Sequence, residues 1–112
     1  MIWALDYDTL VRVRRKDLRV AGRRRVQSAF SGTQQFAGEF SFAPDENLCV
    51  VARPYSGDVV ALDTSSLRKK QSAKLGGQPL EVAAIGGGEI VARDWKTGQL
   101  QRGKLERRWF IR

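Results

Sequence analysis

Histidine is absent from all 112 residues. That removes histidine metal ligands, histidine general bases and any Ser-His-Asp triad. A single cysteine, Cys49, excludes an internal disulfide framework, and its place inside the most apolar run of the chain reads as a buried, inert thiol. Long hydrophobic runs are also lacking: nothing approaches the roughly 18 apolar residues of a membrane-spanning helix. The N-terminus lacks the positive-then-apolar layout of a secretion signal. The chain is expected to be cytoplasmic if complete, whereas a fragment of an exported protein would have its leader elsewhere. Proline is scarce, at three residues, and 42% of the chain is hydrophobic, so the composition supports one modest core and does not read as disordered. No stretch carries a clear helical period.

What is present is a run of strand and turn signals, clearest between Phe36 and Gln78. Phe36, Phe40 and Phe42 share one parity, so Glu39 to Ala43 is expected as a half-buried strand, and Pro44 to Asn47 form a turn. Leu48 to Ala52 is unbroken apolar sequence, which suits a strand covered on both faces. Pro54 to Asp58 make the next turn, Val59 to Leu62 a third strand, and Asp63 to Ser66 a third turn. A more polar fourth strand runs from Leu67 to Leu75 and ends at Gly76 and Gly77.

The same order recurs on both sides. Val51, Ala52 and Arg53 reappear forty residues later as Val91, Ala92 and Arg93, and Tyr55 reappears as Trp95. Upstream, Leu67 and Arg68 match Leu18 and Arg19, which carries Val59, Val60 and Leu62 onto Leu10, Val11 and Val13. Leu80 to Ile85 is then an innermost strand, Gly86 to Gly88 a hairpin turn, Glu89 to Arg93 and Gln99 to Leu105 two further strands, and Glu106 to Arg112 a fourth. A period near forty residues with four strands per period is the pattern of propeller blades.

The run Phe40-Ser-Phe-Ala-Pro-Asp45, followed by Leu48-Cys-Val-Val-Ala52, Ser56-Gly-Asp-Val-Val60, Leu62-Asp-Thr64 and Gly76-Gly-Gln-Pro79, resembles a repeat of the YVTN-type bacterial β-propellers. The resemblance implies an all-β protein of antiparallel four-stranded blades: a partial blade over 1–27, a loop over 28–35, a complete blade over 36–78 and a second blade over 79–112. Closed propellers use at least about four blades. The chain is therefore expected to be a piece of a longer propeller, or to complete a ring with copies of itself or another chain. A small β-barrel is the alternative fold.

Lys and Arg outnumber Asp and Glu by 20 to 12, a net charge of +8. The excess clusters on expected third and fourth strands, around Arg23, Arg24 and Arg25, around Lys69 and Lys70, and around Arg107 and Arg108. A basic band along the outer wall would attract nucleic acid or another polyanion. It would equally guard exposed edge strands against aggregation. Tyr7, Tyr55 and Trp95 fall in the turn after the second strand of each copy, so their rings are expected on one face of the molecule, with Arg53 and Arg93 beside them. They would line a surface for a partner protein or small ligand, or else seal the joints between blades.

Chemistry has less support. The acidic residues are mostly turn formers, and Glu39 and Glu81 alone fall where an innermost strand faces a channel. A lactonase-like hydrolase is thus the weakest reading. The sequence reads as a non-enzymatic binding or scaffolding module, without cofactor or metal, that recognises its partner through blade-face turns.

Overall fold

The computed structural model describes residues 1–27, 35–44 and 47–107. Most of the expected loop over 28–35, part of the turn after Pro44, and Arg108 with the rest of the tail lie outside the described residues. The protein is all-β. Its strands are β1 (Ile2–Asp6), β2 (Thr9–Val13), β3 (Val20–Arg25), β4 (Phe40–Ala43), β5 (Leu48–Arg53), β6 (Asp58–Asp63), β7 (Lys69–Lys74), β8 (Pro79–Gly86), β9 (Glu89–Asp94) and β10 (Leu100–Lys104). They form three separate antiparallel sheets in the orders β1-β2-β3, β4-β5-β6-β7 and β8-β9-β10. This is the arrangement of consecutive propeller blades, one complete and two partial, and not of a closed barrel.

Turn chemistry sets these boundaries. Between β6 and β7 the Asp63 N–H donates to Arg68 O at 2.9 Å and the Leu67 N–H to Asp63 O at 2.8 Å. The turn from Arg14 to Arg19 makes the same pair of bonds at 2.9 and 2.8 Å, as does that from Asp94 to Gln99 at 2.8 and 3.0 Å. Each such turn needs a left-handed residue before the next strand. Gly98 (φ 74°) supplies it freely, whereas Leu18 and Leu67 adopt φ of 59° and 62° at a cost of roughly 1–2 kcal/mol. At Leu67 burial of the side chain in the core offsets that cost.

The middle sheet is covered on both faces. Cys49, Val51, Val60 and Leu62 pack with Trp3, Leu5 and Leu10 of the first sheet. Val50, Ala52, Val59 and Ala61 pack with Ile90 and Ala92 of the third and with Leu105, which follows β10. This double cover explains the unbroken apolar run from Leu48 to Ala52. It also pushes the Cys49 thiol up to about 12, because burial disfavours the thiolate. Arg12 locks the seam between the first two sheets: its Nη1 donates to Thr64 O at 2.5 Å and Ser65 O at 2.7 Å, and its guanidinium lies 5.8 Å from the Trp3 ring centroid.

Two sequence expectations need correction. The repeat between the second and third sheets is one residue longer than the forty that the shared Val-Ala-Arg triplet indicates. Val51 faces the first sheet together with Cys49, whereas its structural counterpart on the third sheet is Ala92, which faces the middle sheet together with Ile90. A slip of one residue reverses every side chain of a strand, so burial and not identity decides the alignment. Arg23, Arg24 and Arg25 stand on the outermost strand of the first sheet, where the sequence expects the basic cluster, and pair with Val11, Leu10 and Thr9 in the β2–β3 ladder. An outermost strand needs only its backbone for that ladder, and its long charged side chains stay in water. Finally, Glu106 does not extend the third sheet but bridges to Ser72 of β7 in the middle sheet, with N···O distances of 3.0 and 2.9 Å.

Candidate functional site

The segment from Phe36 to Glu39 has no regular structure, yet it touches every sheet. The Ala37 N–H donates to Tyr7 O in the first sheet at 2.9 Å, Gly38 N–H to Ala52 O in the second at 2.8 Å, and Glu39 N–H to Leu80 O in the third at 2.7 Å. Gly38 is there because nothing larger fits: a Cβ at this position would lie 2.4 Å from Leu80 O and 3.0 Å from the Ala52 Cβ.

That threading places the Phe36 ring where the turns of all three sheets meet. Its centroid lies 6.2 Å from that of Tyr7, 5.2 Å from that of Tyr55 and 5.2 Å from that of Trp95, the last two edge to face. Tyr7, Tyr55 and Trp95 remain 50%, 39% and 47% exposed, so the cluster is both a joint and an accessible surface. Tyr7 and Trp95 directly follow β1 and β9, whereas Pro54 holds that position after β5 and Tyr55 comes next. The expected equivalence of Tyr55 and Trp95 is therefore off by one residue, although the rings still converge.

Asp94 carries the Trp95 turn. Its Oδ1 accepts the Gln78 N–H at 2.7 Å, and its Oδ2 accepts the N–H groups of Thr97 and Lys96 at 2.8 and 3.0 Å. These bonds, the one from Gln78 first, hold its carboxyl below the usual range. Ser66 and Ser65 N–H groups do the same for Asp63. A depressed folded-state value means stability that is present above the ordinary carboxylate pKa and lost as pH falls through the folded one. Melting temperature is therefore expected to be flat from neutrality to about pH 5 and to fall below about pH 4. A double Asp63→Asn, Asp94→Asn variant should start lower at neutral pH and show a shallower acid slope.

The two arginines beside the rings are engaged within the protein. Arg53 makes two parallel bonds to Asp58, Nε to Oδ1 and Nη2 to Oδ2 at 2.8 Å each, and its Nη1 donates to Val26 O at 3.2 Å. Arg93 pairs with Glu81 across β8 and β9. As anion contacts both would first have to leave these partners, and the Arg53 fork is the more tightly held. Glu39 and Glu81 line one cleft of about 330 Å³ together with Arg93.

Next to the ring cluster lies an open cleft of about 520 Å³ bordered by Leu5, Tyr7, Phe36, Phe40 and Leu80. On the outer wall, β3 and β7 carry the exposed Arg23, Arg24, Arg25, Lys69 and Lys70. A smaller hollow of about 170 Å³ there is lined by Arg24, Arg25, Arg53 and Lys69. Arg25 also pairs with Asp8 at 3.1 Å. Arg107 is exposed beyond β10.

No protein-family model matches the chain, and no curated protein matches it. Among solved structures it is similar to BamB from Moraxella catarrhalis, with 15% identity and a TM-score of 0.46 over 88% of this chain and 33% of that one. The chain spans about a third of the length of that structure.

Two features of the site escaped sequence reading. Phe36 reads as one more strand phenylalanine, because nothing local distinguishes a ring that packs on residues 29, 19 and 59 positions away. Asp94 reads as an ordinary turn former. The signal that could have found it is the Asp-x-x-Thr spacing to Thr97, whose N–H and Oγ1 both donate to its Oδ2.

Proposed function

We infer that this chain is a non-enzymatic binding module of propeller type, with the turn grammar of a YVTN-like repeat, and that its partner is a protein segment docking on the ring face. The observation that supports this most is the convergence of Tyr7, Tyr55 and Trp95, from three different sheets, on Phe36 while all three stay accessible. Tyrosine and tryptophan clusters of this kind supply large, rigid contact area with a polar tip, the composition of binding hot spots. The outward faces of the end sheets add apolar surface for the same or a further partner, with Ile2 and Val20 exposed on one and Ile85 and Leu100 on the other.

A second reading rests on the hollow where Arg24, Arg25 and Lys69 approach one another from β3 and β7. Here the ligand would be a polyanion, held without sequence preference and released by salt.

One experiment separates them. Peptides selected from a random displayed library on the native chain, and heparin as a polyanion probe, are titrated against Trp95→Ala, Tyr55→Ala and a triple Arg23→Ser, Arg24→Ser, Arg25→Ser variant. The ring-face reading expects each aromatic variant to lose at least about tenfold in peptide affinity and the triple variant to be unchanged. Failure to select any peptide, together with salt-sensitive heparin retention abolished in the triple variant, would replace it with the polyanion reading.

A further inference from the structure

Face parity divides the basic side chains of the two outer strands β3 and β7. Residues directly opposite each other in an antiparallel ladder present their side chains on the same face, and Arg24 stands opposite Leu10 whereas Arg23 stands opposite Val11. Leu10 is fully buried against Val60 and Leu62 of the middle sheet. Arg24 therefore lies on the face turned toward the middle sheet, and Arg23 on the face turned away. Across the seam, Lys69 stands opposite Leu62 and so lies on the face turned toward the first sheet. Lys70 instead borders a hollow with Leu48, which packs on the side of the third sheet.

The two inward cations meet at the hollow of about 170 Å³, whose apolar floor is the buried Val26, Val60 and Leu62. Its walls belong to described strands, β3 on one side and β6 with β7 on the other. Two further arginines line it with their countercharges in place, Arg53 held by Asp58 and Arg25 by Asp8. Arg24 has no hydrogen bond or ion pair among the described residues. Arg12 shows how an arginine of this seam is otherwise satisfied: it stands opposite Trp3, on the same face, and donates to Thr64 O and Ser65 O. Cations gathered over an apolar floor repel one another more strongly than they would in open water, and an anion between them removes that cost. Residues 28–34, which continue the chain from Val26 and Gln27, contain no Asp or Glu to supply one.

We propose that this hollow binds a phosphate group, clamped between Arg24 of β3 and Lys69 of β7, with Arg25 at its rim and the Arg53–Asp58 fork as a fixed wall. The hollow is smaller than the roughly 300 Å³ at which pockets for drug-sized molecules begin. The recognised unit is therefore the phosphate itself, either inorganic or the end group of a small ester. Guanidinium and ammonium groups are the side chains that hold such an oxyanion by charge-assisted hydrogen bonds. The proposal rests on the second reading above in taking the ligand as an anion, but it replaces a band indifferent to strand face with a pocket that depends on it. Because its contacts come from two sheets that share no ladder, the bound phosphate also fastens the outer rim of their seam.

The probes are inorganic phosphate and glycerol phosphate, titrated calorimetrically into the full chain at constant ionic strength. One site per chain is expected. Arg24→Ser and Lys69→Ser should each weaken it at least about tenfold, the loss of one hydrogen bond to a charged group. Arg23→Ser and Lys70→Ser remove the same charge from the opposite faces and should change affinity by no more than about twofold. Phosphate at about ten times its dissociation constant should raise the melting temperature of the native chain and not that of Arg24→Ser. Equal binding of the two probes would assign the site to phosphate alone, and tighter binding of glycerol phosphate to an ester, both in keeping with the proposal. No binding up to about 10 mM phosphate, an affinity of less than about 3 kcal/mol, would overturn it. Equal losses in Arg23→Ser and Arg24→Ser would also overturn it, and heparin retention reduced equally by both would then leave the face-indifferent band standing. Phosphate bound without heparin retention would keep the pocket and dismiss the band.

Discussion

Replacing Gly38 by alanine is expected to unfold much of the protein near physiological temperature. The new Cβ would sit 2.4 Å from Leu80 O and 3.0 Å from the Ala52 Cβ, and both neighbours belong to paired strands that cannot step aside. Relief requires moving the segment away. That lengthens the bonds from Gly38 N–H to Ala52 O and from Glu39 N–H to Leu80 O, now 2.8 and 2.7 Å. Overpacking of this kind costs about 3 kcal/mol or more, a large share of the roughly 5–15 kcal/mol that holds a domain together. The comparison is Gly76→Ala. At Gly76 a Cβ meets nothing within 4 Å, and only the positive φ of 77° opposes it, at roughly 1 kcal/mol. Thermal melts of the two variants decide the matter, and equal losses would mean that the threading of Phe36 to Glu39 between the sheets is wrong.

Phe36→Ala should produce the second large effect, in two measurements at once. The half-buried ring touches three others, each edge or tilted pair adding about 0.5–1.5 kcal/mol beyond its buried area. Truncation is expected to cost about 3 kcal/mol, a fall in melting temperature of about 10 °C for a chain of this size. Because Tyr55 and Trp95 lose their common support, ligand affinity at the ring face should also fall, even in the fraction that remains folded. Phe36→Leu restores much of the volume but not the edge-to-face geometry. It is expected to recover most of the stability and little of the affinity. Recovery of both together would show that Phe36 merely fills space.

Strand order and turn positions were legible because they rest on local chemistry. Gly57 and Gly98 mark left-handed residues, Asp63 and Asp94 cap their own turns, and the apolar stretch from Leu48 to Ala52 announces cover on two faces. Side-chain parity was not legible across the repeat, since Val-Ala-Arg occurs twice by identity while its members point to opposite faces. The arginine run did not hide its strand, because the ladder depends on the β2 backbone and leaves the charged side chains in water. Likewise the rings could be placed on one face from turn register alone. Their meeting at Phe36 depends on three backbone bonds to Tyr7, Ala52 and Leu80, none of which has a local sequence signature.

Repeat proteins usually behave as a row of neighbours, each unit coupled only to the next, so the ends can fray while the middle holds. The bonds from Ala37 to Tyr7, Gly38 to Ala52 and Glu39 to Leu80 give the outer sheets a common tether in addition to their contacts with the middle one. Fraying at either end pulls on a segment that the other end also holds. A modular sequence is thereby expected to melt as a single cooperative unit, and a backbone cut between Gln35 and Phe40 to weaken the coupling of its two outer sheets.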